Sequence, residues 1–200
     1  MLREARDPDY HQVVLTTNYD DVMERAFRAA SEPFDVVWYV ADGPEQGKFV
    51  HRLHSGDVRL IEDRNTYRGI EIDRRSLVVK VHGTVDRFGP QRDSYVITID
   101  DYLDYLVRAD VAAFLPPEIV NKLYSSHFLF LGYGLKDWNL QVILRRIWGG
   151  QRLATRASWA VWNPDPIEKL LWEKRGVEVI DARLEEYIAG LEERFLKAVA

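Results

Sequence analysis

Five stretches of this chain set amide, carboxylate, imidazole or glycine groups just after apolar runs. They are Thr16-Thr17-Asn18-Tyr19-Asp20, Lys80-Val81-His82-Gly83-Thr84, Gly132-Tyr133-Gly134-Leu135, Asn163-Pro164-Asp165 and Asp181. An asparagine amide carries both a donor and an acceptor, so Asn18 can fix a water or a sugar hydroxyl. Histidine titrates near ~6.5 when unperturbed, so His82 can accept a proton at neutral pH. Two glycines separated by one residue, Gly132 and Gly134, let a backbone approach a phosphate, with a following helix supplying amide donors and a dipole. Each stretch also has a plainer use. Asn18 and Asp20 can cap a helix, His82 can be a satisfied core histidine, and the glycines can make a tight turn. The weight lies in their joint position.

What must position them is a set of strands. Val13 to Thr16, Val36 to Val40, Leu77 to Val81, Phe128 to Leu131, Trp159 to Trp162 and Val177 to Ile180 are nearly continuous in Val, Leu, Ile and aromatic residues. That pattern predicts strands buried on both faces, as in a parallel sheet covered by helices. Ligands of such sheets bind at the carboxyl ends of the strands, which is where all five stretches fall. Helical spacing recurs in Val22, Met23, Ala26, Phe27 and Ala30, with Asp20 and Asp21 at the start. It recurs in Leu140, Ile143, Leu144 and Ile147, and in Leu184, Tyr187, Ile188 and Leu191, continued by Phe195. A shorter helix is expected from the Asn163-Pro164-Asp165-Pro166 turn to Lys174. Phe49 to His54 and Val58 to Glu62 alternate around Ser55-Gly56-Asp57, the pattern of a hairpin. The expectation is a single domain over residues 1–200. Its fold is doubly wound, Rossmann-like α/β, with a mostly parallel sheet and a hairpin insertion over 48–76.

Composition closes off other classes. The 200 residues include no cysteine, which excludes disulfides, thiolate metal sites and a cysteine nucleophile. Lys and Arg number 27 against 32 Asp and Glu, a net charge of −5. Nucleic-acid affinity rests on a basic face, so nucleic acid is not an expected partner. No apolar run approaches the ~20 residues that span a bilayer. Met1 to Tyr10 is dense in charge without an apolar signal core, so a cytoplasmic setting is expected. His51 and His54, three apart on a strand, face opposite sides and are not read as a ligand pair. Arg145, Arg146, Arg152 and Arg156 read as a solvated face, and Asp100, Asp101 and Asp104 as a helix start. Walker loops, nucleophile elbows and metal-binding helix motifs are absent from the sequence.

In chain order, Thr-Thr-Asn-Tyr-Asp, Lys-Val-His-Gly-Thr, Phe-Leu-Gly-Tyr-Gly-Leu-Lys-Asp and a strand ending in Asn-Pro resemble the sirtuin-like domain family. The likeness is greatest to its branch in bacterial defence proteins, which degrade NAD. It implies that Asn18 and Asp20 lie near the nicotinamide ribose and carboxamide, that Thr17 is among the NAD-binding residues, and that His82 is the catalytic histidine of a His-Gly motif. Gly132, Tyr133 and Gly134 stand where sirtuins bind phosphates and adenosine ribose with Gly-Thr-Ser. Asn163 matches an asparagine that touches the adenosine ribose, and Asp181 would lie by the adenine. Tyr95 to Leu106 is similar to the segment after the family's histidine. Two features depart from the family. The Cys-x-x-Cys zinc module is missing, which argues against lysine deacylation and against a metal. No Gly-Ala-Gly-Ile-Ser-type loop precedes Asn18, so the chain is expected to lack the family's first βα unit, and cleavage is expected to require that loop.

The activity implied is hydrolysis of NAD to nicotinamide and ADP-ribose, in anti-phage or stress defence, with an oxocarbenium-like transition state as in sugar hydrolysis. The alternative is a module that holds NAD or ADP-ribose without cleaving it, as a sensor or an oligomerisation unit. Expected partners are NAD or ADP-ribose, together with a second copy or an effector domain, and no membrane.

Overall fold

The computed structural model describes residues 11–85, 93–98, 115–132 and 158–199. These belong to two compact units, one within Pro8–Val120 and the other within Asn121–Ala200. In the first unit the chain runs β1 (Val13–Thr16), α1 (Val22–Ala29), β2 (Phe34–Tyr39), β3 (Phe49–Arg52), β4 (Val58–Ile61) and β5 (Ser76–Lys80). They build one sheet in the order β1-β5-β2-β3-β4. β5 pairs in parallel with β1 and with β2, while β3 and β4 add an antiparallel hairpin beyond β2. Two short strands, β6 (Gly83–Thr84) and β7 (Ser94–Tyr95), pair antiparallel beside it.

The reason for this order is visible in burial. Every residue of β2 and β5 is buried, as central strands require. On one face Phe34, Val36, Trp38, Val50 and Val78 pack against Met23 and Phe27 of α1 and Leu60 of β4. Full burial of each such side chain contributes roughly 1.5–3 kcal/mol, which is what holds an eight-residue helix in place. On the opposite face Asp35 and His51 form a polar cluster. His51 is fully buried, its Nε2 lies 3.3 Å from Asp35 Oδ2, and its Nδ1 shares a 2.6 Å hydrogen bond with the Tyr67 hydroxyl. Asp35 Oδ1 accepts the His54 amide at 2.6 Å and lies 3.4 Å from Arg75 Nε. His51 and His54 therefore converge on one carboxylate, one through its ring and the other through its backbone. They tie the hairpin and the segment after it to β2.

In the second unit, β8 (Phe128–Leu131), β9 (Ser158–Trp162) and β10 (Val177–Asp181) form a parallel sheet in the order β10-β9-β8. A helix α2 (Pro117–Ser125) contains the boundary between the units, and α3 (Pro166–Glu173) and α4 (Leu184–Val199) follow β9 and β10. Asp165 caps α3, its carboxylate accepting the Ile167 and Glu168 amides at 2.9 Å each, with Pro166 at the first turn. Phe130, Ala160, Trp172 and Val177 form the core, with Phe128, Trp162 and Val179 packed around it. The parallel pairings and connecting helices make this a mixed α/β chain of Rossmann-like character. The helix expected around Leu140 to Ile147 and the one expected at Asp100 lie outside the described residues. Among the described residues no helix is long and apolar enough to cross a membrane.

Burial by itself pushes the Asp35 carboxyl up. The hydrogen bonds from His51 and the His54 amide, with the electrostatic pull of His51 and Arg75, outweigh it and hold Asp35 below its ordinary 3.8. A carboxyl depressed on folding contributes stability above its unfolded pKa and loses it as pH falls through the folded value. Asp35→Asn is therefore expected to cost about 2–3 kcal/mol at pH 7. In urea titrations the gap between variant and wild type should shrink as pH falls below the ordinary 3.8. A gap that stays constant into acid would show that the Asp35 charge contributes nothing.

Candidate active site

The register of β1 and β5 pairs Thr16 with Lys80. Asn18 and His82 each stand two residues further on, so the amide and the imidazole follow the carboxyl ends of two adjacent parallel strands. Backbone bonds stitch the two loops together. Thr16 Oγ1 accepts the Asn18 amide at 3.1 Å, and the Thr16 carbonyl accepts the Val81 amide at 3.1 Å. The Tyr19 carbonyl accepts the Val85 amide at 2.9 Å, and the His82 carbonyl accepts the Val96 amide at 3.0 Å. The Tyr19 hydroxyl donates to the Val96 carbonyl, and the Tyr19 and Tyr95 rings meet edge to face at 5.5 Å. Asn18 and Asp20 are exposed, Thr17 is half-buried, and His82 is only 3% exposed. Asp20 Oδ1 accepts the Val22 amide at 3.0 Å, so one carboxylate oxygen does serve the helix start. A cavity of about 290 Å³ opens beyond the end of β2, with Trp38, Val40, Glu45 and Ser94 in its walls.

Gly83 explains why a glycine follows the histidine. Its φ is +97°, and a Cβ there would stand 1.9 Å from the Ser94 carbonyl oxygen across the β6–β7 pair. No other residue lets the chain turn after His82 and pair with Ser94 and Tyr95. Lys80 was not singled out from sequence. It is 1% exposed, with its Nζ 2.8 Å from Glu24 Oε1, 2.9 Å from Thr84 Oγ1 and 3.3 Å from the Tyr19 carbonyl, and it also donates to the Asp20 carbonyl. A signal was available: a lysine inside an apolar strand run needs a buried partner.

In the second unit, Asn163 and Asp181 end adjacent parallel strands, and Asn163 Nδ2 donates to Asp181 Oδ1 at 3.0 Å. Gly132 follows Leu131, the register partner of Val161, so it stands at the same edge of its sheet. Its φ is +72° and a Cβ would meet nothing closer than Leu184 at 3.8 Å, so the backbone turn is what calls for glycine there. Tyr133 and Gly134 lie outside the described residues. Among the described residues no group of three or more His, Asp or Glu side chains is placed to hold a metal ion.

A family model described as SIR2-like domain matches residues 12–180. The chain is also similar to Defense-associated sirtuin 2 of Bacillus subtilis, 25% identical over 174 residues. That match covers 84% of this chain and 14% of the relative, so the chain spans a small part of that protein's length.

Gly83→Ala should destabilise the first unit by at least about 2 kcal/mol, since it adds left-handed strain to a backbone clash. A thermal melt checks this. A variant as stable as wild type would mean that the β6–β7 pairing is dispensable.

Proposed function

The chain belongs to the SIR2-like domain family, which binds NAD as substrate, and from that premise we propose that it hydrolyses the bond between nicotinamide and ribose. Water adds to the anomeric carbon as nicotinamide departs, giving ADP-ribose and a proton. Nicotinamide leaves as a neutral molecule and needs no general acid. The work left to the protein is to hold the ribose and to direct a water, in a transition state of oxocarbenium character. Asn18 fixes the water or a ribose hydroxyl with its amide. His82 accepts the proton. Asp20 takes the carboxamide N–H on Oδ2, the carboxylate oxygen that does not accept the Val22 amide, with Thr17 beside it. The observation that carries this reading is the Thr16–Lys80 register, which sets Asn18 and His82 just past adjacent strand ends.

The setting we propose is defence, by likeness to a relative named for it. A second reading, binding of NAD or ADP-ribose without cleavage, draws support from His82 itself, which is only 3% exposed.

The two readings separate experimentally. If the protein cleaves NAD, His82→Ala should lower nicotinamide release by roughly 10²–10⁴-fold and leave NAD binding in place. If it only binds, NAD at 100 times its dissociation constant should stabilise it by about 2.7 kcal/mol with no nicotinamide released by wild type or variant. Cleavage that survives His82→Ala unchanged would remove the histidine from the mechanism.

A further inference from the structure

We propose that Lys80 is the positioning residue of this site: its buried ammonium clamps the Asn18–Asp20 loop to the loop that follows His82. The proposal rests on the glycohydrolase reading only for its effect on turnover. The clamp itself stands on geometry within one unit.

Lys80 is the last residue of β5, two before His82. An ammonium has three protons and no acceptor. Here they meet oxygens from three separate elements. Glu24 Oε1 on α1 lies at 2.8 Å, and Thr84 Oγ1 in the His82 loop at 2.9 Å. The carbonyls of Tyr19 and Asp20, which flank and follow Asn18, complete the set. Two backbone carbonyls of the Asn18 loop and one hydroxyl of the His82 loop therefore share a single buried cation. The Glu24 carboxylate is 2% exposed and supplies the opposite charge.

Glu24 alone would satisfy the charge requirement of a buried lysine. The contacts that go beyond it all lie on the two loops that carry Asn18, Asp20 and His82. Burying an ion pair is a poor route to stability, because an apolar pair of similar volume often does as well or better. What the ammonium adds is a fixed distance between two loops. A misplacement of 1 Å at reacting groups costs on the order of 10²-fold in rate.

The test compares Glu24→Gln with Glu24→Gln/Lys80→Met in the full chain. Both lack the carboxylate charge, and they differ only in the ammonium. The double variant should melt no lower than the single one, since it removes the Lys80 ammonium that Glu24→Gln leaves unpaired, while Arg52, whose Nη2 lies 3.9 Å from Glu24 Oε1, loses that contact equally in both. Its amides over residues 17–21 and 82–85 should nevertheless exchange with deuterium roughly 10- to 100-fold faster, with β2 amides unchanged. Nicotinamide release should fall about 10²-fold in kcat with KM altered far less. Thr84→Val, which leaves both charges in place, should speed exchange in the same two loops more mildly and gives a reading if the charge variants do not fold. Unchanged loop exchange in the double variant or in Thr84→Val would overturn the clamp, as would acceleration spread evenly into β2. If wild type releases no nicotinamide, the glycohydrolase reading fails, and the exchange arm still decides the role of Lys80.

Discussion

The parallel pairing of β1 with β5 is the constraint from which the site follows. Both strands run the same way, so their carboxyl ends emerge side by side, and a register that matches Thr16 with Lys80 puts Asn18 and His82 each two residues past paired positions. A shift of one residue would send every side chain of β1 to the other face. The register is protected at both ends. The Leu77 amide bonds the Gln12 carbonyl at the start of the pair, and the Val81 amide bonds the Thr16 carbonyl at its end. Beyond that point the loops are still bonded to each other through Tyr19 and Val85, and the His82 carbonyl holds Val96 after β7.

Polar groups are buried in this sheet where they join elements that apolar packing alone would leave loose. Asp35 and His51 join the hairpin to β2. Ser76 donates to Glu32 at 2.8 Å and accepts the Gln12 amide at 3.1 Å, joining the start of β5 to the chain before β2 and before β1. Lys80 and Glu24 join α1 to β5. Each cluster pairs groups from segments distant in sequence, which is how a buried charged or polar side chain offsets the loss of water. The apolar face against α1 supplies most of the driving force, and the polar clusters decide which segments lie next to which.

This division explains what could be read in the sequence. β1 and β8 coincide with their apolar runs, Val13–Thr16 and Phe128–Leu131. β2 and β5 begin earlier than their runs, because Asp35 and Ser76 are polar residues inside strands and their partners lie elsewhere in the chain. α2 was not expected, since its nine residues hold only Ile119, Val120 and Leu123 as aliphatic side chains, too short a series to show a stripe. Among site residues, Asn163 and Asp181 were placed at strand ends by pattern, and the structure joins them by a hydrogen bond. Lys80 was passed over because nothing local in a sequence reports that Glu24 will lie 2.8 Å away. The glycine after His82 was legible as a motif, while the Ser94 carbonyl that demands it was not.

In the reading proposed above, NAD is held at the ends of β1 and β5. Backbone amide chemical shifts, followed while a carbocyclic NAD analogue that cannot be cleaved is titrated into the protein, test it most directly. Saturable shifts are expected at Thr17, Asn18, Asp20, His82 and Gly83. Saturable binding that leaves these amides unmoved and shifts others would contradict it.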